Sequence, residues 1–331
     1  MDSLLAPVFL DFLGKPVWVW LSFLSIVLAL LAFDLGILNR RDHEIGVKES
    51  LHLSAFYIVV ALLFGGWVWW SMGETAGLQY YTGYFVEKSL SLDNVFVISL
   101  IFGYFAVPRE LQHRVLFWGI LGVIVLRGLM IAAGAALVSE FHWVLYVFGA
   151  FLLVTGVKML FAVDHEPDIA NNPALRFLRR HMRITDTFHG HHFFVREGAQ
   201  DGQGRGRLAA TPLFLALMMI EFADLIFAVD SVPAVFAITT DPYIVYTSNI
   251  FAILGLRALY FALAAMVHRF RYLKYALALV LVFIGGKIFY AQMVAKPDPL
   301  ISLAVTVTLI GGGVAVSLLK TRNADKHAPA E

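Results

Sequence analysis

The sequence contains no cysteine among its 331 residues. This absence excludes disulfide scaffolds, thiol redox catalysis, zinc sites built on cysteine and iron–sulfur clusters. Charged residues are also scarce: they make up 15% of the chain, and the formal net charge is +1. Because proteins that bind nucleic acid need a dense basic face, we expect no nucleic-acid partner.

Apolar residues dominate the chain. They make up 60% of it, compared with about 45–50% in soluble domains. They fall in nine segments, each close to the roughly 20 residues that a helix needs to cross the hydrocarbon core of a bilayer. The predicted spans are residues 17–38, 51–71, 80–106, 113–138, 142–162, 210–239, 245–267, 272–294 and 299–319. We therefore predict an all-α polytopic membrane protein with about nine transmembrane helices, whose first partner is the lipid bilayer.

The positive charges of the connecting segments predict the orientation of the chain. When the nine spans alternate, the connecting segments on one side of the membrane hold 18 Lys and Arg residues. Those on the other side hold two, Lys15 and Lys296. Cytoplasmic loops collect Lys and Arg, so we expect the N-terminus outside and the C-terminus in the cytoplasm of a bacterial-type inner membrane. No cation precedes Lys15; the chain thus lacks the basic region of a cleavable signal peptide, and we expect the first span to remain.

Two parts of the chain repeat each other. Segments 87–95 and 224–232 both read as an acid, five residues, then Asp, a small polar residue and Val. Arg127 recurs in the same order as Arg257. A three-helix unit used twice must insert with opposite topology, which is the inverted-repeat plan of many secondary transporters. The predicted parts are helices one and two (1–75), the first repeat (80–162), a cytoplasmic loop rich in Arg and His (163–208), the inverted second repeat (209–295), and the last helix with its tail (296–331).

Four stretches carry a family resemblance: EKSLSLDNVFV (87–97), VLRGLMI (125–131), FGAFLLVTGVKM (148–159) and the long stretch from EFADLIF to LRALY (221–260). They closely resemble the TerC family of integral membrane proteins and, within it, the Alx-type bacterial members. The resemblance covers roughly residues 33–290. It implies a polytopic inner-membrane protein linked to manganese export, with an older association with tellurite resistance.

Carboxylates inside the predicted spans are the strongest functional signal in the residues themselves. There are six: Asp34, Glu87, Asp93, Glu221, Asp224 and Asp230. Each costs about 2.5–3.5 kcal/mol at a helix centre, so several in one bundle point to a functional site. The alternative is a structural network of ion pairs with Arg127 and Arg257. However, two arginines cannot neutralise six acids, and a divalent cation or protons could supply the missing charge.

Helical spacing brings some of these groups onto shared faces. Residues seven apart point nearly the same way, so Glu87 shares a face with Asn94, and Asp224 shares one with Ser231. The acids that come directly before Asn94 and Ser231 lie about 120° away from these shared faces in a straight helix. Pro233 lacks an N–H group and crowds a preceding carbonyl, which predicts a kink or opening of its helix beside the second of these acids.

The candidate ligands are all oxygen donors, which suit Mn²⁺, Mg²⁺ and Ca²⁺. We predict Asp93, Asn94, Asp230 and Ser231 as direct ligands, Glu87, Glu221 and Asp224 as ligands or proton carriers, and Arg127 and Arg257 as the groups that hold the acids when no metal is bound. Asp34 lies near the cytoplasmic end of its span, where it could pair with Arg40 or Arg41, act as a gate, or serve as a further ligand.

The sequence therefore predicts a divalent-cation transporter rather than an enzyme, with no permanently bound cofactor. Mn²⁺ as the exported ion rests on the family resemblance, and oxygen ligands alone leave Mg²⁺ and Ca²⁺ open. The chain has no P-loop, so we predict proton antiport, with Glu87 and Asp224 as proton carriers. The alternatives are a non-transporting membrane scaffold or stress-response protein, or an oxyanion carrier related to tellurium resistance. We do not place the loop histidines His189, His191 and His192 in the site.

The predicted topology can be tested by labelling single cysteines, because the natural chain supplies no background thiol. A thiol reagent that cannot cross the membrane should label Gly77→Cys in intact cells and spare Gly204→Cys. Labelling of both positions, or of Gly204→Cys alone, would contradict the predicted orientation.

Overall fold

The computed structural model describes residues 11–33, 46–161, 169–197, 207–263, 273–294 and 297–325. These residues form ten helices: α1 (Val17–Phe33), α2 (Val47–Met72), α3 (Glu74–Tyr104), α4 (Arg109–Glu140), α5 (Val144–Phe161), α6 (Pro173–His181), α7 (Pro212–Phe236), α8 (Pro242–Leu263), α9 (Leu273–Met293) and α10 (Pro299–Asp325). Every predicted span corresponds to one of them, and α6 is the additional one. Asp34, one of the predicted acids, lies outside the described residues.

Six stretches within these helices are long and apolar enough to cross a membrane: Lys48–Met72, Arg109–Glu140, Val144–Phe161, Pro212–Phe236, Leu273–Ala291 and Pro299–Lys320. Two further stretches, Val17–Phe33 and Pro242–Leu256, are apolar but shorter. Helix α3 is 31 residues long, but its polar side chains, Glu87 and Lys88 among them, make it less apolar. The chain is a helical membrane protein, and the count of nine spans stays a prediction.

The prediction of an all-α chain misses two small antiparallel ribbons. Strands β1 (Asp11–Phe12) and β2 (Lys15–Pro16) form one, and β3 (Phe194–Glu197) and β4 (Arg207–Ala210) form the other. These strands are two to four residues long, too short to leave an alternating apolar pattern in the sequence. The segment predicted as a loop therefore contains folded structure, namely α6 and β3.

Helix α6 is anchored to the bundle through one face. Leu175 and Leu178 are buried and belong to the same apolar cluster as Leu111 of α4 and Leu213 of α7. Its other face carries exposed arginines: Arg176, Arg179 and Arg180. This amphipathic pattern explains why an Arg-rich segment of low hydropathy still forms an ordered helix against the end of the bundle.

Asp-Pro pairs fix the starts of α8 and α10. Asp241 Oδ1 accepts a hydrogen bond from the backbone N–H of Tyr243 at 3.0 Å, and Asp298 Oδ1 accepts one from Leu300 at 2.8 Å. Such caps satisfy N–H groups that have no partner inside the helix, and proline at the first position suits the helical φ. Asp241 also forms a 3.0 Å ion pair with Lys15. The N-terminal ribbon is thereby joined to the start of α8.

The long helices pack in four main pairs: α5 with α9, α3 with α8, α2 with α8, and α4 with α7. Glycines allow the closest of these approaches. A Cβ atom on Gly156 of α5 would lie 2.8 Å from the backbone oxygen of Ala278, and one on Gly285 of α9 would lie 2.8 Å from the backbone oxygen of Gly149. Small residues at such contacts let membrane helices pack backbone against backbone.

Helix α7 runs without interruption from Pro212 to Phe236, through Pro233. The helix is therefore not opened beside Asp230, and a kink there stays a prediction. Its end comes one turn after the proline, where the N–H of Ala237 donates to the carbonyl of Pro233 at 3.0 Å. Because Pro233 lies in the last turn of α7, its missing N–H group removes a backbone hydrogen bond only near the C-terminal end of the helix.

The structure shows that Gly77 is a poor position for the introduced cysteine of the labelling experiment. Gly77 is buried, and a Cβ atom there would lie 2.6 Å from Cβ of Trp69. Glu74, in the first turn of α3, is exposed on the same connection. We therefore expect Glu74→Cys to be the accessible reporter of that side.

The packing of α5 on α9 predicts different outcomes at two adjacent glycines. Gly285→Ala places a methyl group against the backbone of α5 and should destabilise the protein by about 1–3 kcal/mol. Gly286→Ala is the control, because a Cβ there meets nothing within 4 Å. Thermal unfolding of the purified protein in detergent should show a lower midpoint for Gly285→Ala alone. Equal midpoints for the two variants would contradict this packing.

Candidate functional site

Four helices bring polar side chains to one buried place. The Arg127 cluster consists of Glu87 and Asn94 from α3, Arg127 from α4, Asp224 and Ser231 from α7, and Asn249 from α8. Each of these residues is at most 8% exposed. Arg127 is the largest fully buried side chain among the described residues. The cluster therefore lies inside the bundle and not on its lipid-facing surface.

The guanidinium group of Arg127 is at the centre of the cluster. Its Nε and Nη2 atoms donate to the two carboxylate oxygens of Asp224, at 3.2 and 3.1 Å. Its Nη1 atom forms an ion pair with Glu87 Oε1 and donates to Ser231 Oγ at 3.1 Å and to Asn249 Oδ1 at 2.7 Å. Such charge-assisted, bidentate contacts are the strong class of hydrogen bond.

Helical spacing correctly predicts which residues of α3 and α7 meet. Glu87 and Asn94 lie seven residues apart, as do Asp224 and Ser231, and all four belong to the cluster. Across the two helices, Asn94 Nδ2 donates to Asp224 Oδ1 at 3.4 Å. Arg127 contacts two of the predicted acids, Glu87 and Asp224; that it holds them when no metal is bound stays a prediction. The side chain of Arg257 lies outside the described part of the chain, so its predicted role stays a prediction.

Polar atoms and charge remain unmatched in the cluster. Glu87 Oε2, Asn94 Oδ1 and Asn249 Nδ2 are buried and have no hydrogen-bond partner among the described residues. With both acids ionised, Glu87 and Asp224 outnumber the single guanidinium by one charge. Nearby, Lys88 Nζ donates instead to the carbonyl of Ala252, at 3.2 Å. Buried polar groups without partners cost free energy, so these atoms mark a place where a further polar ligand would be favourable.

A cavity of about 40 Å³ adjoins this place. Asn94 and Asp224 supply its polar wall, and side chains such as Ile98, Val123 and Tyr260 supply the apolar remainder. A cavity needs about 10–15 Å³ by this measure to hold one water molecule. The cavity, which we call the inner cavity, lies between the Arg127 cluster and the α3–α4 turn, and is large enough for an ion or a few waters.

A larger polar cavity lies at the opposite end of the bundle. This vestibule has a volume of about 620 Å³, and Thr75, Gln79, Thr82, Thr239, Asp241, Lys287 and Asp298 are among its lining residues. Along α3 and α7, the buried apolar side chains of Val86 and Ala234 lie between it and the Arg127 cluster; they belong to one apolar cluster with Ile238, which lines the vestibule. Thr82 precedes Glu87 by five residues, or about 7.5 Å of helix. An apolar layer thus separates the vestibule from the Arg127 cluster.

Glu221 lies about one turn before Asp224 on α7, and its carboxylate contacts α4. A Cβ atom on Gly122 would collide with the Glu221 carboxylate, and one on Gly119 would lie 3.7 Å from Glu221 Oε1. The Oε2 atom of Glu221 is buried without a hydrogen-bond partner in the described structure. The glycines of α4 therefore make room for an acid that Arg127 does not contact.

The structure does not bring Asp230 into the cluster. Asp230 is half-buried, and its neighbours Ile226 and Val229 are 64% and 50% exposed on the surface of α7. The side chain of Asp93 lies outside the described residues. In the described part of the chain, no group of three or more His, Asp or Glu side chains is arranged to hold a metal ion. At the Arg127 cluster, Glu87 and Asp224 do not form such a group, because the Arg127 guanidinium lies between them.

Sequence reasoning missed Asn249. This residue is fully buried in α8, with its Oδ1 atom on Arg127. An amide inside an apolar span is itself a functional signal, because unpaired polar groups are costly there. The sequence carries this signal, but Asn249 has no acid at the seven-residue spacing that marks Asn94 and Ser231.

Comparisons with known proteins agree with this picture. The model of the integral membrane protein TerC family matches residues 72–325. The chain belongs to the TerC family. A membrane protein of Myxococcus xanthus is 48% identical to the chain over 96% of its length and 97% of the relative's. TerC-family relatives of Salmonella typhi and Escherichia coli, each carrying the name of a proposed membrane-bound redox modulator, Alx, are 47% and 46% identical over 92% of the chain and 94% of their own length. No solved structure gives a significant match.

The matched TerC region contains every residue of the Arg127 cluster. Its bacterial relatives extend over nearly the whole chain, so the multi-pass membrane character applies to the full length. The predicted family is thus confirmed, and the cluster lies in the part of the chain that defines it.

The contact between Glu221 and α4 predicts a coupling that can be measured. Gly122→Ala should lower the thermal unfolding midpoint in detergent, because the new methyl group meets the carboxylate. The same substitution should cost less in a Glu221→Ala background, with a coupling of at least about 0.5 kcal/mol. Gly119→Ala is the matched control, since its Cβ would be at ordinary contact distance. Equal effects of Gly122→Ala in both backgrounds would contradict the placement of Glu221.

Proposed function

We propose that this protein exports a divalent cation, Mn²⁺ in preference to Mg²⁺ or Ca²⁺, through the Arg127 cluster. The observation that carries the proposal is the cluster itself: two carboxylates, two amides and a hydroxyl from α3, α7 and α8 are buried around one cation. Ionisable groups inside a membrane bundle are expensive and mark ion pathways more often than packing.

The donor chemistry supports a hard divalent cation. Carboxylate, amide and hydroxyl oxygens suit Mg²⁺, Ca²⁺ and Mn²⁺. The chain has no cysteine, and its HGHH histidines are exposed on the segment between α6 and β3. Manganese is preferred because of the link between the TerC family and manganese export that the resemblance implies. In this proposal the ion is the transported substrate and not a resident cofactor.

The arrangement of helices supports transport by an inverted repeat. If α3–α5 and α7–α9 are equivalent units, the contact of α3 with α8 is equivalent to that of α7 with α4, and α5 pairs with α9. These three pairs are among the four main pairs observed; the fourth joins α2, which lies outside the two units, to α8. In transporters built this way, substrate sites lie near the bilayer midplane between the repeats. The Arg127 cluster, which draws on both units, meets that expectation.

The two cavities suggest how an ion would travel. The inner cavity reaches Asn94 and Asp224, whereas the apolar layer with Val86 and Ala234 separates the cluster from the vestibule. In the orientation predicted from Lys and Arg, the inner cavity faces the cytoplasm. An ion would enter from that side and leave through the vestibule once the apolar layer opens.

Proton antiport is the proposed driving force, and three acids are candidates to carry the proton. Glu87 and Asp224 are the carriers expected from the repeat. Glu221 is a third, because neither Arg127 nor Lys88 contacts it, and a buried carboxyl group without a cation can be neutralised by a proton. Asp93 and Asp230 are proposed to contribute to the path from the other faces of α3 and α7.

Other functions receive less support from the site. An oxyanion carrier needs free cationic groups, but the guanidinium of Arg127 is occupied by Glu87, Asp224 and their neighbours. The name of the enteric relatives suggests a redox role; without cysteine, this chain could exert one only indirectly, through the metal content of the cell. A scaffold role would rely on the exposed arginines of α6 and would not need the buried cluster.

The experiment is to measure manganese in cells that lack their own exporters and express the protein. Wild type should lower cellular Mn²⁺ and permit growth in excess manganese. Asp224→Asn, Asp93→Asn and Asp230→Asn should each remove most of that export while keeping membrane abundance, since each removes a charge and little volume. Glu74→Gln is the matched control, because Glu74 is exposed at the end of α3.

Two outcomes would count against the proposal. Wild-type export by Asp224→Asn would place the site elsewhere. Unchanged cellular manganese with the wild-type protein would favour the scaffold. In proteoliposomes containing a pH dye, manganese flux that ignores an imposed pH gradient would refute proton antiport while leaving metal export intact.

A further inference from the structure

We propose that Arg127 is a tethered counter-cation, which occupies the acids of the site whenever the divalent ion is absent and accompanies them through the return step of the transport cycle. This inference rests on the proposed function and adds to it a reason why the empty transporter can return. It makes Arg127 part of the cycle and not only a support for the acids.

The guanidinium already binds the oxygen atoms that a divalent ion would need. Five of its contacts go to oxygens of Glu87, Asp224, Ser231 and Asn249, from three different helices. A divalent ion placed among the same oxygens would stand within a few ångströms of the guanidinium, and like charges at such distances repel strongly in a medium of low dielectric constant. The two cations therefore compete for the site.

The empty site needs a cation. Glu87 and Arg127 are each 1% exposed, and Asp224 is 8% exposed. Removing one partner of a buried ion pair costs far more than the pair itself contributes, because it leaves an uncompensated charge. A transporter that releases its ion would be left with bare carboxylates at Glu87 and Asp224; in this inference the exchanged proton is carried by Glu221, which Arg127 does not contact. The guanidinium on α4 removes that penalty without having to be supplied from solution.

The inner cavity gives the ion a way to displace the guanidinium in part. It is lined by Asp224 and Asn94, and by Ile120 and Val123 of the helix that carries Arg127. Asn94 Oδ1 has no hydrogen-bond partner in the described structure. An ion that arrives there meets this oxygen and the Asp224 carboxylate. Arg127 can then give up Asp224 through Nε and Nη2 and keep Glu87, Ser231 and Asn249 through Nη1.

If Arg127 is the counter-cation of the empty site, net export of Mn²⁺ and exchange of Mn²⁺ for Mn²⁺ depend on it differently. Net export requires the empty protein to return, and that step needs the counter-cation. Exchange of Mn²⁺ for Mn²⁺ across the membrane keeps an ion in the site at every crossing and does not need it. A residue with a merely structural role would affect both modes of transport alike.

The test uses full-length wild type, Arg127→Gln and Arg127→Lys, each purified and reconstituted in proteoliposomes loaded with Mn²⁺. We expect Arg127→Gln to lose net efflux into metal-free buffer at least about tenfold, while exchange of radioactive for unlabelled Mn²⁺ stays within about threefold of wild type. Arg127→Lys keeps the charge and should retain part of the net efflux. In detergent, Arg127→Gln should also bind Mn²⁺ more tightly than wild type, because the competing cation is gone.

Several results would overturn the inference. Equal loss of net efflux and exchange in folded Arg127→Gln would assign Arg127 a structural role, as would weaker Mn²⁺ binding by that variant. Unchanged net efflux would show that another group compensates the acids. If Arg127→Gln does not fold, equal loss of both modes in Arg127→Lys would likewise assign Arg127 a structural role. Absence of both modes in the wild type would refute the proposed function itself, and this inference with it.

Discussion

The burial of one guanidinium group between two carboxylates is the constraint on which the structure depends. Arg127 has no access to solvent, so its donors must find oxygen acceptors within the bundle. Glu87 and Asp224 supply the charge, and Ser231 and Asn249 complete the shell. Because these residues come from α3, α7 and α8, satisfying Arg127 requires four helices to meet at one point. Polar pairing and helix packing thus specify the same arrangement.

The glycines and the apolar clusters support this meeting point in different ways. Gly156 and Gly285 let α5 and α9 touch along their backbones, while Gly122 leaves space for the Glu221 carboxylate. Apolar side chains then close the cluster on the vestibule side, and a small cavity remains on the other. The same contacts that stabilise the bundle therefore also leave a cavity on one side of the polar centre, which suits the transport with alternating access proposed above.

The sequence predicts most of the fold, because long apolar runs and a seven-residue spacing of polar groups both survive folding. The nine long helices of the described residues and the shared face of Glu87 and Asn94 follow from such local patterns, whereas the role of Arg127 stays a prediction. Asn249 does not, since its position depends on how α8 packs against α3 and α4. Helix α6 does carry local signals, which the prediction of a loop did not use: Asn172 caps it, Pro173 begins it, and Leu175 and Leu178 form its apolar face. Asp230 shows the converse limit, because the repeat marks it while α7 turns it away from the cluster.

The most direct test of the central claim is to locate the bound ion. Crystals of the full-length protein grown with Mn²⁺ should give an anomalous scattering peak beside Asp224 and Asn94, with the Arg127 guanidinium withdrawn from Asp224. The peak should vanish in Asp224→Asn. A manganese peak at another place in the bundle, or one beside Asp224 with every Arg127 contact unchanged, would contradict an account in which the ion and the guanidinium share the same acids.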